Sequence, residues 1–130
     1  MRTINLIVIH CSATREDKDF TEYDLDVCHR RRGFNGAGYH FYIRKNGDIK
    51  SLRPLSLPGA HVRGWNAGSI GVCYEGGLDE CGRPADTRTL FQKHSLRVLV
   101  LLLLKDYPGS RLCGHRDLSL RGTNHFVCKL

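Results

Sequence analysis

Leu6-Ile7-Val8-Ile9 runs into His10, and about a hundred positions later Arg111-Leu112-Cys113-Gly114 runs into His115. A short, continuous, β-branched run such as 6–9 reads as a central strand buried on both faces. If 111–114 is a strand of the same sheet, the two strand ends can lie side by side and aim two imidazoles at one metal ion. A catalytic zinc takes three protein ligands and leaves a fourth position open. By chemistry the third donor has four candidates: Cys128, His125, Asp117 and Cys11.

Working outward, Thr21-Glu22-Tyr23-Asp24 is a helix start with Thr21 as N-cap. Basic residues at 29–32 and Gly33 mark its end, which predicts a helix from about Thr21 to Arg32. Tyr39–Arg44 and Asp48–Arg53 flank Lys45-Asn46-Gly47, a strong hairpin signal. Ser69–Tyr74 reads as another apolar strand, closed by Gly76-Gly77. Thr87–Tyr107 reads as a long helix capped by Thr87 and stopped by Pro108-Gly109, with Leu90, Phe91, Leu96, Val98, Leu99, Leu102 and Leu103 as its apolar positions. The run Val98–Leu104 reads as a buried helix segment, being far shorter than the roughly 18 residues that span a bilayer. The expected fold class is α/β of the α+β type, a mixed central β-sheet flanked by helices. One domain is expected over 1–130, with 118–130 as an atypical tail.

Composition narrows the function classes. Of 130 residues, 41% are hydrophobic and 25% charged, which argues against disorder. The six cysteines (Cys11, Cys28, Cys73, Cys81, Cys113, Cys128) come with no secretion signal and no paired spacing, so mostly free thiols and a cytoplasmic site of synthesis are expected. The net charge of +7 attracts polyanions. The basic residues are scattered and lack interleaved aromatics, so no nucleic-acid partner is expected, nor a membrane one. A monomer is expected.

Four stretches carry a family resemblance. In order they are Ile7-Val8-Ile9-His10-Cys11-Ser12-Ala13-Thr14, Gly38-Tyr39-His40-Phe41-Tyr42-Ile43 with Asn46-Gly47, Gly64-Trp65-Asn66 with Ser69-Ile70-Gly71-Val72, and Gly114-His115-Arg116-Asp117. Together, over about residues 6–119, they resemble the zinc N-acetylmuramoyl-L-alanine amidases of the phage-lysozyme and peptidoglycan-recognition type. The resemblance implies a peptidoglycan hydrolase that cuts the amide between N-acetylmuramic acid and L-alanine with zinc-activated water. It implies zinc on His10 and His115, a catalytic role for Tyr39, and a substrate-groove wall at His61, Trp65 and Asn66. Trp65 has a second reading, as a cap on the core. His40 would face away from Tyr39 on strand alternation, and is either structural or supports the site. His29 and His94, on helices, are not expected to be ligands. Phage lysis enzymes of this kind commonly reach the wall through a separate membrane pore.

The tail departs from the family. Members usually follow the second histidine with a proline, in many a lysine, and then a cysteine or aspartate ligand. Here Arg121 stands six positions after His115 where the phage-type enzymes carry the lysine, and Thr123 stands where their cysteine would be. Arginine keeps the charge and changes its geometry. Cys128 is the first choice for the third ligand and His125 the second. The alternative is a peptidoglycan-binding module with impaired catalysis.

Overall fold

A computed structural model describes residues 2–118. Arg121, Thr123, His125 and Cys128 lie outside the described residues. The element order is β1 (Leu6–Cys11), β2 (Thr14–Arg15), α1 (Glu22–Arg31), β3 (Phe41–Ile43), β4 (Ile49–Ser51), β5 (Ser69–Tyr74), β6 (Gly77–Leu78), α2 (Leu90–Asp106) and β7 (Arg111–Gly114), with short 3-10 turns at Asn66–Gly68 and His115–Leu118.

Five strands form one sheet in the order β4-β3-β5-β1-β7. β1 pairs in parallel with β5 on one side and β7 on the other, β3 pairs in parallel with β5, and β3–β4 is the antiparallel hairpin. The mixed sheet expected from the sequence is therefore present. A second, two-stranded parallel pair, β2 with β6, was not legible in the sequence because each strand is only two residues long.

Alternation of side chains along the strands separates two layers. Ile7 and Ile9 of β1, Ile70, Val72 and Tyr74 of β5 and Ile43 of β3 face α2, where they pack on Leu96, Leu99, Val100 and Leu103. Leu6 and Val8 face the opposite layer with Val62, while Tyr42 and Cys73 pack there on Leu25 of α1. His10 shares the parity of Leu6 and Val8, which assigns it to the α1 side of the sheet. Each fully buried isoleucine contributes about 1.5–3 kcal/mol, so the core fixes β1 firmly.

Both helices begin with a capping box. In α1 the Thr21 hydroxyl accepts from the Asp24 N–H and the Asp24 carboxylate accepts from the Thr21 N–H. α2 starts later than expected: Thr89, not Thr87, is its cap, paired with Gln92. The reason is the third residue of the helix, which must reach back; Gln92 can, whereas Leu90 could not have served Thr87. Thr87 instead accepts the Gly77 N–H at 2.8 Å.

The apolar assignment of α2 is corrected in part. Leu96, Leu99 and Leu103 are buried, but Leu90 is 82% and Phe91 67% exposed, and Val98, Leu101 and Leu102 are exposed as well. Helical periodicity turns only one stripe of the 98–104 run toward the sheet. Among the described residues no helix is long and apolar enough to cross a membrane.

One buried carboxylate joins the layers. Glu75, at the end of β5, accepts from Arg44 Nε at 2.7 Å and from the backbone N–H groups of Phe20 and Lys45, while its own carbonyl accepts from the buried Gln92 amide. Removing one partner of such a pair strands the other. Glu75→Ala is expected to lower the unfolding free energy by about 3 kcal/mol, measured by urea denaturation; a loss below about 0.5 kcal/mol, the range of ordinary surface substitutions, would contradict this account.

Candidate active site

The parallel register sets Ile9 against Gly114 and His10 against Cys73. His115, the first residue after β7, therefore emerges beside His10. Their ring centroids are 5.0 Å apart, as the two-strand argument from sequence required.

The loop between β4 and β5 brings a third imidazole. His61 Nδ1 lies 2.8 Å from His10 Nε2, and His61 Nε2 lies 3.1 Å from Ser69 Oγ. This chain is satisfied with a proton on either side of the His10–His61 bond, provided the serine hydroxyl turns to match. The ring of His61 lies on the backbone of β5 at Gly71, where a Cβ would come within 2.7 Å of it. A glycine in the middle of a central strand otherwise weakens it, so Gly71 exists to seat His61. Asn66 holds the same loop: its Oδ1 accepts from the His61 and Val62 N–H groups at 3.0 Å each.

Tyr39 comes from the segment leading into β3. Its ring lies 4.9 Å from His10 and 6.3 Å from His61. The expected alternation between Tyr39 and His40 does not hold, since His40 is also in ring contact with His61, at 6.0 Å. β3 starts only at Phe41, so strand geometry does not govern the two residues before it. His40 is a structural histidine: Nδ1 accepts the Gly71 N–H, and Nε2 lies 2.8 Å from the Leu57 carbonyl oxygen and 3.0 Å from Arg2 Nη2.

His10, His61, Tyr39 and His115 line one groove of about 740 Å³ with Asn66, Arg32 and Arg63 at its walls and Phe20, Leu25 and Phe34 among its apolar lining. His29 of α1 lines it too, a residue the sequence reading set aside because an isolated helix histidine carries no signal. Trp65 is 49% exposed and absent from that lining, so it does not cap the core. Cys11 packs its sulfur against Gly77, with its thiol pKa raised by burial. The Asp117 carboxylate accepts the Gly114 N–H at 2.8 Å. Among the described residues, no set of three His, Cys, Asp or Glu side chains forms a metal site. Those cysteines that are described are free thiols, as expected.

Electrostatics give the groove its chemistry. Burial, with His61, His115 and His29 nearby, holds the His10 pKa well below the usual histidine value. Burial also pushes His61 down, to about 3, helped by His40 and His115. Both rings are neutral at pH 7 and keep a lone pair. Burial, with Cys73 and Cys11 close by, raises Tyr39 well above the ordinary phenol range, so its hydroxyl stays a donor.

Comparison with known proteins gives the family. Residues 1–125 match the N-acetylmuramoyl-L-alanine amidase family. The endolysin of Klebsiella phage KP32 is 36% identical over 95% of this chain and 82% of its own length. The N-acetylmuramoyl-L-alanine amidase LysC from Clostridium intestinale superposes with a TM-score of 0.80 at 35% identity, covering 95% of this chain and 80% of that one. Drosophila PGRP-LB, at 22% identity and a TM-score of 0.72 over 92% of this chain and 74% of its own, shares the fold. The family match and these relatives place the chain in the peptidoglycan amidase class of hydrolases. The chain belongs to the N-acetylmuramoyl-L-alanine amidase family.

The buried neutral histidines make stability depend on pH. Between about pH 6.5 and about 3 the unfolded chain binds protons that the folded site refuses, so unfolding free energy rises with pH. With metal chelated, the protein is expected to lose stability as pH falls through that window, by up to about 1.4 kcal/mol per pH unit for each refused proton. The slope should be shallower in His61→Asn. Parallel stability–pH curves for the two proteins would refute the assignment.

Proposed function

We propose that the groove performs zinc-dependent hydrolysis of the amide between the lactyl group of N-acetylmuramic acid and L-alanine, with His10 and His115 as two of the zinc ligands. The observation that carries this is the juxtaposition of His10 and His115, neutral imidazole beside strand-end imidazole, within ring contact of a protonated tyrosine. The donor chemistry fits zinc, which favours imidazole nitrogen and thiolate sulfur. Cys128 is the proposed third donor and His125 the second choice.

Bound zinc supplies a Lewis acid and lowers the pKa of a water from about 15.7 to about 7. The chain's own residues do the rest. The Tyr39 hydroxyl donates to the oxygen of the scissile carbonyl as negative charge develops there, a task open only to a protonated phenol. Arg121 is proposed to add a cation to the same charge. Asn66 fixes the His61 loop, and Arg63, with His61, forms the wall along which the stem peptide lies. Hydrolysis adds hydroxyl to the lactyl carbonyl carbon and a proton to the alanine nitrogen as the C–N bond breaks. The phage endolysins among the relatives support action on the cell wall, reached in this reading through a separate membrane pore.

Purified peptidoglycan tests the reading. Stem-peptide release is expected to stop on chelation, to return with added zinc, and to be lost in His10→Ala; full activity in metal-stripped protein would overturn it. Tyr39→Phe is expected to cost about 100-fold in kcat. Elemental analysis should give one zinc per wild-type chain and a marked loss in Cys128→Ser; unchanged zinc in that variant would move the third ligand elsewhere. Wall binding without peptide release would instead identify a binding module.

A further inference from the structure

Tyr39 precedes β3, so no strand pairing on its own residue fixes it. What fixes it comes from its neighbours on both sides. After it, the His40 N–H donates to the Gly71 carbonyl at 2.9 Å, tying the chain to β5. Before it, two side chains of α1 take successive backbone N–H groups. Asp26 Oδ1 accepts from Ala37 at 3.0 Å and His29 Nδ1 accepts from Gly38 at 2.9 Å. Asp26 and His29 are three residues apart and share one helix face. The Gly38 carbonyl in turn accepts from the Ala60 N–H, and a Cβ at Gly38 would collide with the Ala60 carbonyl oxygen, so the segment has no slack on that side.

We propose that His29 is a positioning residue for Tyr39: its Nδ1 holds the Gly38 amide, and its ring packs against the tyrosine ring, so that the phenol hydroxyl is presented to the scissile carbonyl. His29 is buried, and its ring centroid lies 5.3 Å from that of Tyr39 and 5.6 Å from that of Phe34. Phe34 backs the ring, which leaves it little room to rotate away from Gly38. The imidazole is neutral at pH 7, because burial and then Arg32 lower its pKa, and only the neutral ring has the Nδ1 lone pair that the Gly38 N–H needs. Misplacing a reacting group by about 1 Å can cost on the order of 100-fold in rate. A bond to the residue adjoining Tyr39 has that leverage. The inference rests on the proposed catalytic role of Tyr39.

The test uses the zinc-loaded full chain and a soluble muropeptide, with kcat and KM measured for His29→Ala, His29→Asn, His29→Gln, Tyr39→Phe and the His29→Ala/Tyr39→Phe double variant. Asparagine sets its side-chain oxygen where Nδ1 lies, whereas glutamine offers its oxygen near the Nε2 position. His29→Ala and His29→Gln are expected to lose roughly 10- to 100-fold in kcat with KM and zinc content unchanged. His29→Asn should keep most of the activity, and His29→Ala should cost nothing further in the Tyr39→Phe background. If His29→Ala fails to fold, the Asn–Gln difference decides. Equal activity of His29→Asn and His29→Gln, a loss that multiplies with that of Tyr39→Phe, or a loss confined to KM would each overturn the proposal. Undiminished kcat in Tyr39→Phe alone would instead overturn the role of Tyr39 itself, a different failure from the others.

Discussion

The parallel pairing of β1 on both of its edges is the constraint on which the site depends. β5 and β7 lock the register of β1 at every residue from Leu6 to Ile9, and the two faces of the strand are buried in different layers. A one-residue slip would exchange those faces, turning His10 toward α2 and the isoleucines toward the groove. The same register sets Gly114 beside Ile9, which is why the residue after β7 emerges next to His10. The site is thus a consequence of core packing: the apolar residues that hold the sheet also aim the imidazoles.

The groove is expensive to maintain, and the fold offsets that cost locally. Neutral imidazoles crowd together, each making protonation of the others less favourable. Gly71 gives up a side chain in a central strand so that His61 can lie on the backbone. Around this centre the buried polar groups are paired: His40 between Gly71 and Leu57, His29 on Gly38, Glu75 on Arg44 and two backbone amides. This matches the requirement that a buried polar network be fully satisfied or absent. The resulting rigidity holds the His10, His61, His115 and Tyr39 rings in fixed relation around one groove.

α2 shows where local pattern reading stops. Its extent was legible to within a few residues, but its cap was not, because the choice between Thr87 and Thr89 turns on which residue three positions later can reach back. Its buried stripe was only half legible. Leucine fills the run from 101 to 104 without a break, and a continuous run carries no periodicity from which to choose a face. Docking against Ile7, Ile70 and Ile43 makes that choice.

The sequence by itself determined the strands of the five-stranded sheet, both helices, the hairpin and the two strand-end histidines, because each is written in residues adjacent along the chain: β-branched runs, caps, an Asn-Gly turn. Ordered motifs added Tyr39 and the family. Only the tertiary structure decided what lies across the sheet from what. His29 enters the groove, His61 reaches the His10 ring, and Trp65 stays outside the lining. His40 turns out to be structural, and Gly71 proves to be a seat for a ring. None of these follows from local pattern, since each depends on a contact between segments 9 to 51 residues apart, whose partners no periodicity or propensity names.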